Sequence, residues 1–376
     1  MHSFDFKAQT IERSFLRKIN NQPAYKTGTG KLNYVTSYNR SVIKIRTLAG
    51  KTEQSISRKG LRKAISYLLY KKTATRRELE KYSNMNSALM GLLQRIFIQT
   101  AKIVKTAKGL LRITIKGVRF FFSGLDRACI HDLETVVKKG GRFILCSFYY
   151  LRDYKSKRLL DFIKKFNVQL LIDSGEFSVY KARMKGKKVE NISVKEYADF
   201  ILTFKDYIFG YFNLDVTNDP KKSKAHFEKL KKATGIAPIP IWHPNVNDWA
   251  QSDWTGLDQL VKEDHAVIGI GATVHMGLKA GPRLMTKVKD SLFNEIFTRH
   301  PLENFHWLGG SSKIICKYPF FSSDSSGYLQ GRRKHQVYYY DGKDISTRID
   351  PKQDRYECLS DNVQILSSLE CLTGGF

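Results

Sequence analysis

The spacing of apolar residues first identifies a helical region at residues 57–115. Ser57 can cap a helix whose apolar positions follow at helical spacing, namely Leu61, Ile65, Leu68 and Leu69. The stretch from Thr75 to Glu78 is a capping box that opens a second short helix. A third helix is indicated by the apolar face in 84–96, and two strands follow around Lys108-Gly109.

Three short helices followed by a basic hairpin predict a winged helix-turn-helix domain. In that arrangement the third helix enters the major groove of DNA and the hairpin touches the backbone. We therefore expect Arg95, Lys102, Lys105 and Lys108 to face phosphates. The alternative is a small helical bundle used for protein contacts.

From residue 117 the pattern changes to short apolar runs that alternate with segments of helical length. Near-continuous apolar runs are typical of buried parallel strands. Eight such units predict an α/β fold, a TIM (β/α)8 barrel of roughly two hundred residues. An open doubly wound sheet is the alternative, but no phosphate-binding GxGxxG follows the first run.

These patterns predict four segments. Residues 1–56 form a basic arm or small hairpin, and residues 57–115 form the winged-helix-like nucleic-acid-binding domain. Residues 116–334 form the barrel. Residues 335–376 form a C-terminal extension that packs on the barrel, with a hairpin turning at Asp341-Gly342 and a short helix near 360–370.

The charge changes the picture because it is large and uneven. The chain carries a formal charge of +29, and residues 1–115 hold 24 Lys and Arg against 5 Asp and Glu. Basic side chains gain affinity for nucleic acids by releasing counterions from phosphates, so a polyanion partner is indicated. A basic surface kept for solubility is the alternative.

Other composition features predict a cytoplasmic protein with free cysteines. No apolar run is long enough to span a membrane, and the first residues lack the pattern of a signal peptide. The five cysteines form no CxxC pair and no zinc-like cluster, so we expect no metal and no other cofactor.

Polar side chains follow several of the predicted strands of the barrel, where active residues of such barrels sit. They are Asp173, Asp215, His243 and Asp324. Each aspartate alone could be a helix cap, and His243 with Asp215 and Asp173 could bind a divalent ion. Without a metal, paired carboxylates suggest chemistry at a glycosidic bond, where one attacks the anomeric carbon and the other moves protons.

Three stretches of the chain resemble the tRNA-guanine transglycosylase superfamily. "LIDSGEFS" around Asp173 is similar to that family's "DSGGFQ" motif, and "NLDV" around Asp215 looks like its base-recognising segment. "HWLGGSSKIICKYPFFSSDSS" resembles its closing pattern, which ends in the nucleophilic aspartate. The resemblance covers about 117–333. The branch that inserts 7-deazaguanines into DNA is the more similar one, because "SFYYL" at 147–151 resembles its second strand.

The resemblance implies a role for each matching residue. It makes Asp324 the nucleophile, Asp173 the proton shuttle and Asp215 the acceptor for the donor edge of the purine. Ser174 and Phe177 follow Asp173 in the motif. The resemblance implies that Phe177 stacks on the base. His243 would contact the base, and the backbone near Gly271 and Gly309 would line the pocket.

The chain departs from the family at Glu176, which replaces a motif glycine, and at Val216, where many tRNA enzymes have a second aspartate. The zinc motif of the tRNA enzymes is absent. The expected function is therefore exchange of guanine in duplex DNA for a free 7-deazaguanine, such as the 7-cyano form. The target nucleotide would be flipped out of the helix, with Arg332 and Arg333 near its phosphates. The alternatives are a tRNA-guanine transglycosylase and a DNA-binding regulator without enzymatic activity.

Overall fold

A computed structural model describes most of the chain, and every structural statement below concerns these residues. They are 4–20, 22–126, 129–152, 157–175, 178–179, 182, 186, 188–216, 219–276 and 282–374. The chain divides into two compact units. Met1–Lys116 and Lys262–Asp264 belong to the first, and most of Gly117 onwards belongs to the second.

The first unit begins with more structure than the arm or small hairpin expected from the sequence. Helix α1 spans Phe4–Ile19. A four-stranded antiparallel sheet follows in the order β1-β2-β3-β4, with bounds Ala24–Lys26, Leu32–Tyr38, Val42–Thr47 and Gln54–Ser57. Tyr25, Val35, Ile43, Ile45 and Ile56 point from this sheet into the core of the unit. The sequence analysis predicted too little structure here, because apolar and polar residues alternate over only a few positions in each strand.

The remainder of the first unit has the predicted helices and hairpin. In chain order the elements are α2 (Arg58–Lys71), β5 (Thr73–Thr75), α3 (Arg76–Leu79), α4 (Asn86–Ile96), β6 (Ala101–Lys105) and β7 (Leu111–Ile115). The Ser57 side chain accepts from the N–H of Gly60, and the capping box between Thr75 and Glu78 is confirmed. Strands β5, β7 and β6 pair antiparallel in that order.

A buried ion pair ties α1 to α2 in this unit. The Glu12 side chain is fully buried, and its carboxylate accepts from both Nε and Nη2 of Arg58, with 2.9 Å for the Nη2 contact. A buried carboxylate needs such a partner because desolvation of an unpaired charge is very costly.

The second unit is built on eight parallel strands. In chain order they are β8 (Arg119–Ser123), β9 (Phe143–Ser147), β10 (Gln169–Asp173), β11 (Ile208–Tyr211), β12 (Ile241–Trp242), β13 (Ile268–Ile270), β14 (Phe305–Trp307) and β15 (Ser322–Ser325). Their order in the sheet is β11-β10-β9-β8-β15-β14-β13-β12. A parallel bridge between Phe212 and Ile239 joins the two ends of this order, and Ile239 N–H donates to the Tyr211 carbonyl at 2.7 Å. The arrangement is consistent with a TIM-like (β/α)8 barrel.

Helices follow these strands, as the alternation of the sequence predicted. They span Ile130–Lys138, Phe148–Leu151, Lys157–Phe166, Val194–Thr203, Pro220–Thr234, Trp254–Lys262, Pro282–Arg299, Ile314–Lys317 and Gln330–Lys334. One prediction is wrong in detail, because "FYYL" was assigned to the second strand and forms a short helix. Its aromatic residues favour strands, but that propensity depends on context, and here Phe148 and Leu151 reach the core from a helix instead.

The C-terminal segment contains the predicted hairpin and a longer helix than expected. Strands β16 (Gln336–Tyr340) and β17 (Ile345–Ile349) pair antiparallel around the Asp341 turn. The last helix spans Arg355–Gly374, and its apolar side chains join the core of the second unit. No helix in the described part of the chain combines the length and apolar content needed to cross a bilayer.

Candidate active site at the carboxyl ends of the parallel strands

Three of the carboxylates predicted from the sequence lie near one another at the carboxyl ends of the parallel strands. Asp173 ends β10, Asp215 follows β11, and Asp324 lies in β15. The charges of Asp324 and Asp215 both raise the pKa of Asp173, so the three groups share one electrostatic environment. Parallel strands place their carboxyl ends at one edge, which is why positions so distant in sequence meet here.

The Asp324 carboxylate is held through only one of its oxygens. Its Oδ1 accepts a hydrogen bond from the Gly309 N–H at 2.9 Å and lies 3.3 Å from Nε2 of His306. No described residue forms a hydrogen bond with Oδ2. The side chain is 8% exposed, so it is fixed in orientation and shielded from bulk water.

Gly309 is needed for this contact on conformational grounds. Its φ is +75°, a left-handed conformation that residues with a side chain rarely adopt. A Cβ at this position would also lie 2.6 Å from Cγ2 of Val274. The glycine therefore lets the backbone turn so that its N–H points at Asp324.

Asp173 has a strongly shifted pKa. The pKa of its carboxyl is raised from 3.8 to about 7, mainly by burial and then by the Asp324 charge, while a hydrogen bond from the Gly175 N–H acts in the opposite direction. Gly175 has a φ of +87°, and a Cβ there would lie 2.5 Å from Ser147 Oγ. Near neutral pH this carboxyl can therefore both donate and accept a proton.

A fourth carboxylate, Asp126, was missed by sequence reasoning. Its Oδ2 accepts from the N–H of Ser147 at 3.2 Å, and its charge contributes to the raised pKa of Asp173. It follows β8 by three residues, which gave no distinct signal. A search for an aspartate near the end of each of the eight predicted strands could have identified it.

Asp215 has one oxygen bonded and one left without an aligned donor. Oδ1 accepts from Asn213 Nδ2 at 2.7 Å. Oδ2 is buried, lies 3.4 Å from Nε2 of His243, and accepts no hydrogen bond from a described residue. A Cβ on Gly271 would lie 2.6 Å from Nδ1 of His243, so that glycine makes room for the half-exposed imidazole. Ser174, the remaining described candidate, is buried next to Asp173.

The other predicted residues have mixed outcomes. Phe177, like Glu176, lies outside the described residues. The Nε of Arg332 lies 2.9 Å from Oδ1 of the buried Asp132, and Arg333 is exposed, so the phosphate contacts expected of both stay a prediction. The buried Asp132 carboxylate requires a cationic partner, and Arg332 supplies it.

Of the basic residues predicted in the first unit, Lys105 is exposed and Lys102 is half-exposed. Arg95 donates to the Gln22 side chain, and Lys108 donates to the Glu263 carbonyl of the same unit at 2.7 Å. Among the described residues, no group of three or more His, Cys, Asp or Glu side chains is placed to hold a metal ion. The alternative of an Asp/His metal site therefore gains no support.

No protein-family model matches the chain, and no curated protein matches it. Among solved structures, the chain is similar to an enolase protein from the environmental genome shotgun sequencing of the Sargasso Sea. The match has 11% identity and a TM-score of 0.31, and it covers 80% of this chain and 84% of that one. Likeness at this level supports no inference about fold detail or function.

Proposed function

We propose that the protein is a DNA guanine transglycosylase, which exchanges guanine in duplex DNA for a 7-deazaguanine base. The observation that carries the proposal is the pairing of Asp324 and Asp173. Asp324 has Oδ1 held and Oδ2 uncommitted, and the nearby Asp173 has a pKa of about 7. A fixed carboxylate nucleophile beside a carboxyl that exchanges protons near neutral pH is what base exchange at a sugar requires.

The first half of the reaction removes guanine. Oδ2 of Asp324 attacks C1′ of the flipped-out nucleotide as the C1′–N9 bond breaks. The electron pair of that bond leaves with guanine, and protonated Asp173 supplies the proton. The product is a sugar bonded covalently to Asp324, with the opposite anomeric configuration.

The second half installs the new base. Ionised Asp173 accepts the N9 proton of the incoming 7-deazaguanine, and N9 attacks C1′. The bond from C1′ to Oδ2 breaks, and its electron pair returns to the Asp324 carboxylate. Two inversions restore the original configuration, so the exchange retains it.

Asp215 suits recognition of the base. Its buried Oδ2 accepts no aligned hydrogen bond from described residues, and an unsatisfied buried acceptor costs about 1–3 kcal/mol. A purine ring N–H or exocyclic amine would satisfy that oxygen. The half-exposed His243 beside it, for which Gly271 makes room, can contact a polar group on the same base.

DNA binding is proposed for the first unit. The order α2, β5, α3, α4, β6, β7, with the sheet order β5-β7-β6, supports a winged helix-turn-helix. The 24 basic and 5 acidic residues of 1–115 suit a phosphate backbone. The parallel bridge that joins the ends of the eight-stranded sheet supports a closed (β/α)8 barrel in the second unit.

An exchange assay tests the function. Labelled guanine is incubated with the protein and with either duplex DNA or tRNA, and label in the polymer is counted. We expect label in DNA, none in tRNA, and none with Asp324→Asn, while the exposed Asp206→Asn control behaves as wild type. Label in tRNA alone would favour the tRNA enzyme, and DNA binding without label would favour the regulator.

A further inference from the structure

His306 is buried directly behind the proposed nucleophile. It lies in β14 and is 1% exposed, with its ring between Phe121 and Phe212 at centroid distances of 6.0 and 5.2 Å. Its Nε2 lies 3.3 Å from Oδ1 of Asp324, and its Nδ1 lies 2.8 Å from Oγ of Ser322. Both ring nitrogens are therefore engaged by neighbours on β15.

The contacts fix which nitrogen carries the proton. An ionised carboxylate only accepts hydrogen bonds, so Nε2 must be the donor to Asp324. In a neutral ring Nδ1 is then the acceptor, and the Ser322 hydroxyl, which can donate, supplies its proton. Ser322 thus holds the tautomer that points an N–H at Asp324.

Two donors consequently converge on the same oxygen. Gly309 N–H and His306 Nε2–H both bind Oδ1, which leaves Oδ2 to form the bond to C1′. In the covalent intermediate Oδ1 becomes an ester carbonyl oxygen. When the bond between C1′ and Oδ2 breaks, negative charge returns to the carboxylate and is shared by Oδ1.

We propose that His306 is a positioning residue that favours release of the sugar from Asp324 over its retention. The inference rests on the function proposed above and extends it to the second half-reaction. Hydrogen bonds to a carboxylate are about twice as strong as those to a neutral carbonyl. The His306 N–H therefore stabilises the free enzyme more than the adduct, and makes Asp324 a better leaving group.

The test measures the ratio of covalent adduct to free enzyme. Protein, duplex DNA and a fixed concentration of guanine are brought to equilibrium and quenched in denaturant. The adduct is then quantified by denaturing electrophoresis. His306→Phe keeps an aromatic ring between Phe121 and Phe212 and removes the donor. We expect it to raise the ratio on the order of 10-fold, which is the difference between one hydrogen bond to a charged group and one to a neutral carbonyl.

Ser322→Ala provides a second variant that changes less volume. It leaves His306 in place without the hydroxyl that fixes its tautomer, so the ratio should rise by a smaller factor. The matched control is His300→Gln. It removes a histidine whose Nε2 lies 2.8 Å from Oδ1 of Asp258 and which lies outside β14 and β15, so the ratio should be unchanged.

The direction of the change separates positioning from mere structural damage. A disturbed site loses adduct and exchange together, whereas the proposal requires more adduct and slower release. An unchanged or lower ratio in folded His306→Phe and Ser322→Ala, as judged by wild-type circular dichroism, overturns the inference. If the wild-type protein forms no adduct and exchanges no base, the proposed function itself fails.

Discussion

Replacing Asp173 by asparagine should change how stability depends on pH. The folded protein holds this carboxyl with a pKa of about 7, against 3.8 for the ordinary group, and burial is the main cause. Between these values the folded state binds more protons than the unfolded state. Raising the pH therefore favours unfolding, and the cost is fully developed above pH 7.

The magnitude follows from the two pKa values. Integrating the linkage from pH 5 to pH 8 gives a loss of about 2–3 kcal/mol in the free energy of unfolding of the wild-type protein. Because the residue as a whole is partly exposed, this is an upper value. Asp173→Asn cannot titrate, so its free energy of unfolding should lack this loss and exceed that of wild type most at pH 8.

Tryptophan fluorescence during urea denaturation is a suitable assay, because all four tryptophans lie in the second unit. Wild type and Asp173→Asn are compared at pH 5, 6, 7 and 8, with Asp206→Asn as the exposed control. Taking the difference between the two proteins cancels every contribution that they share. A difference that stays constant from pH 5 to pH 8 would refute the assignment of a raised pKa to Asp173.

Three further predictions concern other parts of the chain. Glu12→Ala should destabilise the first unit by about 3–5 kcal/mol, because it leaves the Arg58 guanidinium without its buried partner, and thermal unfolding measures this. Asp215→Asn should raise KM for the incoming base on the order of 10- to 100-fold with little change in kcat, since an amide turns a donor toward the base. Steady-state kinetics with varied base concentration measures this, and an unchanged KM would contradict the role of Asp215 in base recognition. Lys105→Ala should weaken binding to all duplex sequences alike and reduce the slope of log K against log salt by about 1; an unchanged slope in a binding titration would remove this residue from the interface.

The sequence predicted the parallel strands well because they are buried on both faces, so that apolar runs mark them regardless of partner. The carboxylates after those runs were found for the same reason. Helix α1 was missed because a charged residue, Glu12, occupies the buried face together with Ala8, Leu16 and Ile19. The partner that neutralises it, Arg58, is 46 residues away and cannot be inferred from local spacing.

His306 shows what sequence pattern cannot supply. In "FHWLGG" it sits among apolar residues and is indistinguishable from a core histidine that merely finds a hydrogen bond. Its relation to Asp324 arises because β14 and β15 pair with His306 opposite Ser322, which places the carboxylate two residues further along. The pairing register fixes that relation, and register depends on tertiary structure.

The covalent intermediate on Asp324 provides the most direct test of the account. Wild-type protein is incubated with a short duplex containing guanine, quenched in denaturant and measured by intact mass spectrometry, followed by peptide mapping. The account predicts a species with the mass of protein plus the guanine-containing strand minus one guanine, with the DNA attached to the peptide that contains Asp324, and no such species for Asp324→Asn. Guanine exchange by folded Asp324→Asn, or exchange by wild type with the adduct mapped to another residue, would contradict it.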